Sequence, residues 1–280
     1  MTARLQFAVF GQPISHSLSP RIHAMFAAEA GIALDYRAIE AGRDDFARAL
    51  DVFVSQGGVG ANVTLPLKQD AAAHCTSVSA RARRCGSVNT LIRDGNGWRG
   101  DSTDGSGFLR DVAERHAFEP QGHRCLLLGA GGAARAVAFA LAEAGAGHIA
   151  IANRTHERAR ALAAALGARA HAIGWSDLAA ADAFDLVVHA SAAGHARTAF
   201  DAPSPIAATE TLCYDLSYGP AAAPFQRWAR AAGARRVSDG LGMLIEQAAD
   251  AFAIWHGRRP NTAPIRAALR HDPTAASPGA

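Results

Sequence analysis

Lysine is almost missing from this chain. Of its 28 Lys and Arg residues, Lys68 is the only lysine; every other fixed positive charge is arginine. Cysteine is scarce too. Cys75, Cys85, Cys125 and Cys213 form no CxxC pair and show no zinc-ligand spacing with histidine, which argues against a disulfide framework or a zinc module and for free, mostly buried thiols in a reducing compartment. No metal site is expected. No apolar run approaches the ~20 residues of a membrane span, and the start, Met1-Thr-Ala-Arg-Leu-Gln6, carries no signal-peptide apolar region. A cytoplasmic protein without a membrane partner is expected. Net charge is low, +3 at pH 7. The densest basic run, Arg81-Ala-Arg-Arg84, reads as a solvated helix face, and with no aromatic or Gly-rich platform beside it nucleic acid is not an expected partner.

What is present is a core-forming mixture. At 280 residues, with 49% apolar and 19% charged, the chain is long enough for two soluble domains. No internal repeat of fixed period is seen. Leu5–Phe10 reads as a strand. A helix follows, with Ser19 as N-cap, Pro20 at its first position and Gly31 as its stop. Leu34–Ile39 is a second strand; Asp44–Ser55 has helical spacing at Phe46, Leu50, Phe53 and Val54; Val59–Thr64 is a third strand. This βαβαβ order predicts a mainly parallel sheet. Ser87–Ile92 and Gly97–Asp101 form a hairpin through Asp94-Gly-Asn-Gly97. A second alternating series opens at Cys125–Leu128, continues through an Ala-rich helix to about Ala144 and the strand His148–Ala152, and includes the strand Asp185–His189. Helices over Met243–His256 and Ala263–Leu269 close the chain, followed by a frayed Asp272–Ala280 tail. The fold class is α/β.

Gly129-Ala130-Gly131-Gly132-Ala133-Ala134 follows a strand and opens a helix, the context a dinucleotide-binding turn requires. Gly129 permits the tight turn, Gly131 lets backbone approach a pyrophosphate, and Ala134 keeps the helix close to the strand. An NAD site would place Asp or Glu about 20 residues beyond the glycines. Here Asn153-Arg154-Thr155 stands at that place, with Arg158 a turn later. A carboxylate there would repel a 2′-phosphate, whereas guanidinium groups pair with it. NADP is the expected cofactor.

The lone lysine then acquires a chemical reading. A dehydrogenase needs a group that can give and take a proton at a hydroxyl as hydride moves. Arginine never releases its proton in a protein, while a lysine amine can if its surroundings lower its pKa. Lys68 follows Asn62-Val-Thr64, polar groups at the carboxyl edge of a parallel sheet, where ligands of such folds bind. Asn89 lies in Ser87-Val-Asn-Thr90. Asp104 either orients the lysine or caps a helix over Gly105–His116.

These residues carry a resemblance. Seven segments, in order, resemble the shikimate dehydrogenase family: Gly11-Gln-Pro-Ile-Ser-His-Ser-Leu-Ser-Pro20, Gly60-Ala-Asn-Val-Thr-Leu-Pro-Leu-Lys68, Ser87-Val-Asn-Thr90, Asp101-Ser-Thr-Asp-Gly105, Gly129-Ala-Gly-Gly-Ala-Ala-Arg135, Asn153-Arg-Thr155 and Asp239-Gly-Leu-Gly-Met243. The resemblance implies an N-terminal substrate-binding catalytic domain over residues 1–104, to which 243–280 return, and a Rossmann-type NADP-binding domain over 105–242. It implies reversible reduction of 3-dehydroshikimate to shikimate by NADPH, in a monomer or homodimer. By position, Lys68 and Asp104 become the catalytic pair. Ser17 and Ser19 hold the substrate carboxylate with Tyr218; Thr64, Asn89 and Gln247 bind ring hydroxyls. Gly240 lies near the nicotinamide, and Arg154, Thr155 and Arg158 clamp the 2′-phosphate. Ser19 is equally a helix cap, and Tyr218 equally a structural tyrosine.

The sequence departs from that family at the end of the strand Asp185–His189. His189, Ser191 and Ala192 stand where Asn-Ala-Thr-Ser is usual, which puts cofactor positioning in doubt. In Leu65-Pro-Leu67, leucine replaces an aromatic before the lysine. A quinate or amino-analogue dehydrogenase with shifted preference, or a non-catalytic NADP-binding sensor, shares most of these residues.

Overall fold

The structure, a computed structural model, describes residues 4–191 and 200–270. The expectations for Ala192 and for the tail from Asp272 fall outside them. The chain forms two compact units, Met1–Gly107 with Leu244–Ala280, and Phe108–Met243.

The first unit contains β1 (Leu5–Gly11), α1 (Ser19–Ala30), β2 (Leu34–Glu40), α2 (Phe46–Ser55), β3 (Gly58–Val63), α3 (Lys68–His74), β4 (Ser77–Val78), α4 (Ala80–Cys85), β5 (Thr90–Asp94) and β6 (Gly97–Asp101), and α5 (Asp104–His116) starts in it. Its sheet has the order β2-β1-β3-β5-β6-β4. The expected βαβαβ is there, with β1 parallel to both β2 and β3. β5 then turns antiparallel to β3 and pairs with β6 through the Gly95 turn, so the sheet is mixed. As an interior strand paired on both sides, β1 is buried on both faces. Ala8 and Phe10 face Phe46, Leu50 and Phe53 of α2, whose i, i+4, i+7 spacing makes one apolar stripe. Phe7 and Val9 face Tyr36 and, from the chain's return, Trp255.

The second unit contains β7 (Arg124–Leu128), α6 (Gly132–Glu143), β8 (His148–Ala152), α7 (His156–Leu166), β9 (Ala170–Ala172), β10 (Leu186–His189), β11 (Leu212–Asp215), α8 (Ala223–Ala231) and β12 (Arg236–Ser238). Its six strands run in the order β12-β11-β10-β7-β8-β9 and every pairing is parallel. The chain leaves β7 toward β8 on one side and later returns to β10 on the other. The β7/β10 boundary is therefore the topological switch point of a doubly wound sheet. Ala134, Val137, Ala138 and Leu141 of α6 are buried over this sheet. α9 (Leu241–His256) carries the chain back to the first unit, where α10 (Ala263–Arg270) ends the described residues.

Three local expectations need correction. α1 begins at Ser19 itself, with Leu18 as N-cap and Pro20 in the second helical position. No side chain caps this helix from its N-cap position, and the Ser17 hydroxyl accepts from Ser19 N–H at 3.3 Å. Arg81 is not a solvated charge: it is half-buried and forms a two-bond pair with Asp101, Nε to Oδ1 at 2.7 Å and a second N–H to Oδ2 at 3.0 Å. Among the described residues no helix is long and apolar enough to cross a membrane, and no group of three potential ligands could hold a metal ion. All four cysteines are free thiols.

Candidate active site

Thr64 follows the carboxyl end of β3, and the turn there is drawn tight: Leu67 N–H donates to Thr64 O and Thr64 N–H to Phe10 O. Gly11 is required opposite, since a Cβ on it would lie 2.4 Å from the Thr64 methyl. The turn delivers Lys68 as the first residue of α3. Its ammonium donates to Asp104 Oδ2 at 2.6 Å, with the lysine side chain 15% exposed and that of Asp104 5%. Asp104 is the first residue of α5 rather than a cap outside it. A negative charge in a first helical turn is favoured by the local dipole.

The other Asp104 oxygen is held by Asn89, whose Nδ2 lies 2.9 Å from Oδ1. The orientation of this amide is fixed by unambiguous partners. Its Oδ1 accepts from Thr103 N–H at 2.8 Å, while Nδ2 faces the acceptor-only carboxylate. The same Nδ2 reaches Gln247 Oε1 at 3.0 Å, and Gln247 Nε2 donates to Leu244 O at 2.9 Å. Gly107 of α5 allows this approach, because a Cβ there would sit 2.6 Å from the Gln247 amide nitrogen. Lys68, Asp104, Asn89 and Gln247 thus form one hydrogen-bonded group, with Asn89 and Gln247 almost fully buried. Sequence reasoning missed Thr103, Thr90 and Tyr36, which complete it. Thr90 Oγ1 donates to Asn89 Oδ1 at 3.0 Å, and Tyr36 donates to Asn62 Oδ1 at 2.7 Å. Burial raises the Tyr36 phenol well above its ordinary pKa, so it stays a donor.

Ser17 and Ser19 stand at the start of α1, one half-buried and one buried, where free N–H groups favour an anion. In this unit the structure brings together Lys68, Asp104, Asn89 and Gln247 by direct contacts, and Tyr36 extends a hydrogen bond to Ser19; Ser17 and Thr64 belong to the same unit.

The remaining residues lie in the second unit. Gly129 follows β7 with φ +136°, and a Cβ on it would be 2.7 Å from Ala190 O. Gly131 caps α6 without any side-chain cap bond, and a Cβ there would meet nothing within 4 Å. A glycine turn opening on space, with a helix N-terminus behind it, fits a pyrophosphate approached by backbone. Gly132 and Ala133 supply the first turn of that helix, and Ala130 lies half-buried before it. Beyond β8, Asn153 Nδ2 donates to Thr155 O at 2.8 Å and closes a turn that leaves Arg154, Thr155 and Arg158 exposed. Two exposed guanidinium groups without a carboxylate at Asn153 suit a phosphate rather than a free ribose 2′-hydroxyl. Tyr218 is half-buried just past β11. Gly240 is buried against that same exit, where a Cβ would lie 2.3 Å from Leu216 O.

Comparison with known proteins accounts for nearly all of the chain. Residues 9–91 match the shikimate dehydrogenase substrate-binding domain, 111–217 the shikimate/quinate 5-dehydrogenase model, and 240–270 the shikimate 5′-dehydrogenase C-terminal domain. A shikimate dehydrogenase (NADP+) of Xanthomonas euvesicatoria pv. vesicatoria is 53% identical over 269 residues, covering 95% of each chain. One from Xylella fastidiosa strain M12 is 50% identical over 272 residues, 95% of this chain and 96% of that protein. Among solved structures, the shikimate 5-dehydrogenase of Thermus thermophilus, crystallised with NADP(H) and shikimate, superimposes with a TM-score of 0.84 at 37% identity, covering 95% of this chain and 98% of that one. With three family models tiling both units and relatives at half identity over nearly their full length, the chain belongs to the shikimate dehydrogenase family.

Proposed function

We propose that this chain is an NADP-dependent oxidoreductase that interconverts 3-dehydroshikimate and shikimate, a step toward aromatic amino acids. The observation that carries the reading is the Lys68–Asp104 pair, held at 2.6 Å and locked from the far side by Asn89. The nicotinamide, when bound, supplies or accepts the hydride. Everything else is work for the chain's own groups. In the reducing direction Lys68 Nζ gives a proton to the substrate oxygen as its carbonyl carbon takes the hydride; in the oxidising direction the amine receives that hydroxyl proton. Asp104 accepts from Nζ and keeps it aimed.

In this reading the first unit binds substrate and the second the cofactor. Ser17 and Ser19, with Tyr218, hold the carboxylate; Thr64, Asn89 and Gln247 select the ring hydroxyls. Arg154, Thr155 and Arg158 take the 2′-phosphate, residues 129–133 and Asn153 the rest of the adenosine diphosphate half, and Gly240 borders the nicotinamide. The protein acts as a monomer or homodimer in the cytosol. The test is kcat/KM for shikimate and quinate, each with NADP+ and NAD+. Shikimate with NADP+ leads by at least an order of magnitude if the reading holds. A quinate preference would transfer the assignment to the quinate branch, and tight NADP+ binding without turnover of either acid would make the protein a sensor.

A further inference from the structure

At the switch point of the second sheet stands a side-chain relay that the proton-transfer chemistry does not use. His189 ends β10 and Asp215 ends β11, directly opposite each other in the parallel register. Asp215 Oδ2 lies 3.0 Å from His189 Nδ1, and His189 Nε2 lies 2.7 Å from Ser191 Oγ. Both the imidazole and the carboxylate are buried. Phe225 stacks on the imidazole at 5.2 Å, and Phe200 meets it edge-on at 4.8 Å. The second Asp215 oxygen accepts from Ser217 N–H at 2.8 Å, and Ser217 O accepts from Gly240 N–H at 2.8 Å. A carboxylate can only accept, so Nδ1 carries a proton. In a neutral ring with its proton there, Nε2 is left to accept from the Ser191 hydroxyl.

The location gives the relay a use. Ser191 follows β10, and Gly129 follows β7, the strand beside it; a Cβ on Gly129 would lie 3.1 Å from Ser191 N. The glycine turn and the serine therefore border the switch point from its two sides. Arg154 and Thr155 follow β8, on the far side of β7. A dinucleotide laid across this edge with its adenosine 2′-phosphate at β8 has its other half at β10. We propose that His189, anchored by Asp215, is a positioning residue that fixes the Ser191 hydroxyl as an acceptor for the nicotinamide–ribose half of the cofactor. With its proton directed to Nε2, Ser191 presents oxygen lone pairs toward a hydroxyl or amide donor. The relay supplies by another route the fixed polar contact that an asparagine and a threonine would give at these two places.

The inference rests on the NADP reading, and the experiment separates the two. Isothermal titration calorimetry measures NADPH and 2′,5′-ADP, the latter occupying only the 2′-phosphate half, on the wild type, Ser191→Ala, His189→Ala, the double variant and His189→Gln. Ser191→Ala and His189→Ala are each expected to weaken NADPH by about 5- to 20-fold, the scale of one hydrogen bond. Affinity for 2′,5′-ADP stays within about twofold, and the double variant is no weaker than the weaker single variant. Glutamine, which still offers an acceptor to Ser191, recovers part of the loss. If NADPH affinity survives Ser191→Ala, or both ligands weaken equally, the proposal is overturned. Ser191, half-buried after the strand end, tests it even if His189→Ala does not fold. A wild type that binds neither ligand would instead sink the NADP reading itself.

Discussion

Replacing His23 with phenylalanine should make the first unit more resistant to acid. His23 lies on α1 with no exposure. Its ring stacks on Tyr36 at 4.3 Å and 5° and sits 5.3 Å from that of Trp255. Burial lowers its pKa from 6.5 to about 3; Asn62 opposes that shift, and His256 adds to it. The folded state thus keeps His23 neutral where the unfolded chain protonates it. In the window between about 6.5 and 3 the unfolded state binds the extra proton, so stability is intact above the window and falls as pH drops through it, by about 1.4 kcal/mol per pH unit.

Between pH 7 and pH 4.5 this single group removes about 2.5 kcal/mol from the wild type and nothing from His23→Phe. The packing change made by the new ring is common to both pH values and cancels in the difference. Urea unfolding of both proteins at both pH values reads it directly, as a relative midpoint shift of roughly 1 M. A pH-independent stability difference between the two proteins would refute the reasoning. It would mean that His23 takes a proton in the folded state or escapes burial.

Lys68→Arg should keep substrate affinity within a few-fold but lower kcat by about 10²-fold or more, because arginine holds its proton; near-normal turnover in a steady-state assay would end the proton-transfer assignment. The same scarcity permits a chemical version: an amine-directed reagent can modify only Lys68 and the chain's N-terminal amine, and shikimate should protect activity against it. Arg154→Ala should lower kcat/KM with NADP+ by about 10- to 100-fold and leave that with NAD+ nearly unchanged, as for a lost charge-assisted contact to phosphate. Gly107→Ala places a methyl against Gln247 backbone. It should cost about 1–3 kcal/mol in thermal unfolding, with a fall in activity as Gln247 moves away from Asn89.

Legibility followed residue chemistry more than periodicity. Lys68, Asp104 and the glycines at 129 and 131 stood out because few residue types can do what those places require. The first three strands and the helices between them were visible because short apolar runs alternate with segments of helical spacing, as at Phe46, Leu50 and Phe53. α7, rich in alanine between buried Ala159, Leu162 and Ala163, offers little contrast between its faces. Short strands such as β4 and β9 carry too few residues for any period. The antiparallel turn of β5 against β3 is set by pairing across the sheet, which spacing along one segment does not encode.

His189 is the most instructive case. Taken position by position, it looked like a lost asparagine and a weakened cofactor site. Its partner is 26 residues away, joined to it by the register of two parallel strands. A signal was nonetheless present: Val187-Val-His189 and Cys213-Tyr-Asp215 are both apolar runs that end on a group able to hydrogen-bond. Once two such strands are placed side by side in a parallel sheet, their last residues meet at the carboxyl edge, where ligands bind. A substitution at one strand end is therefore judged against the end of the neighbouring strand. By that measure histidine opposite aspartate is not a defect, because the carboxylate fixes the ring that the serine needs.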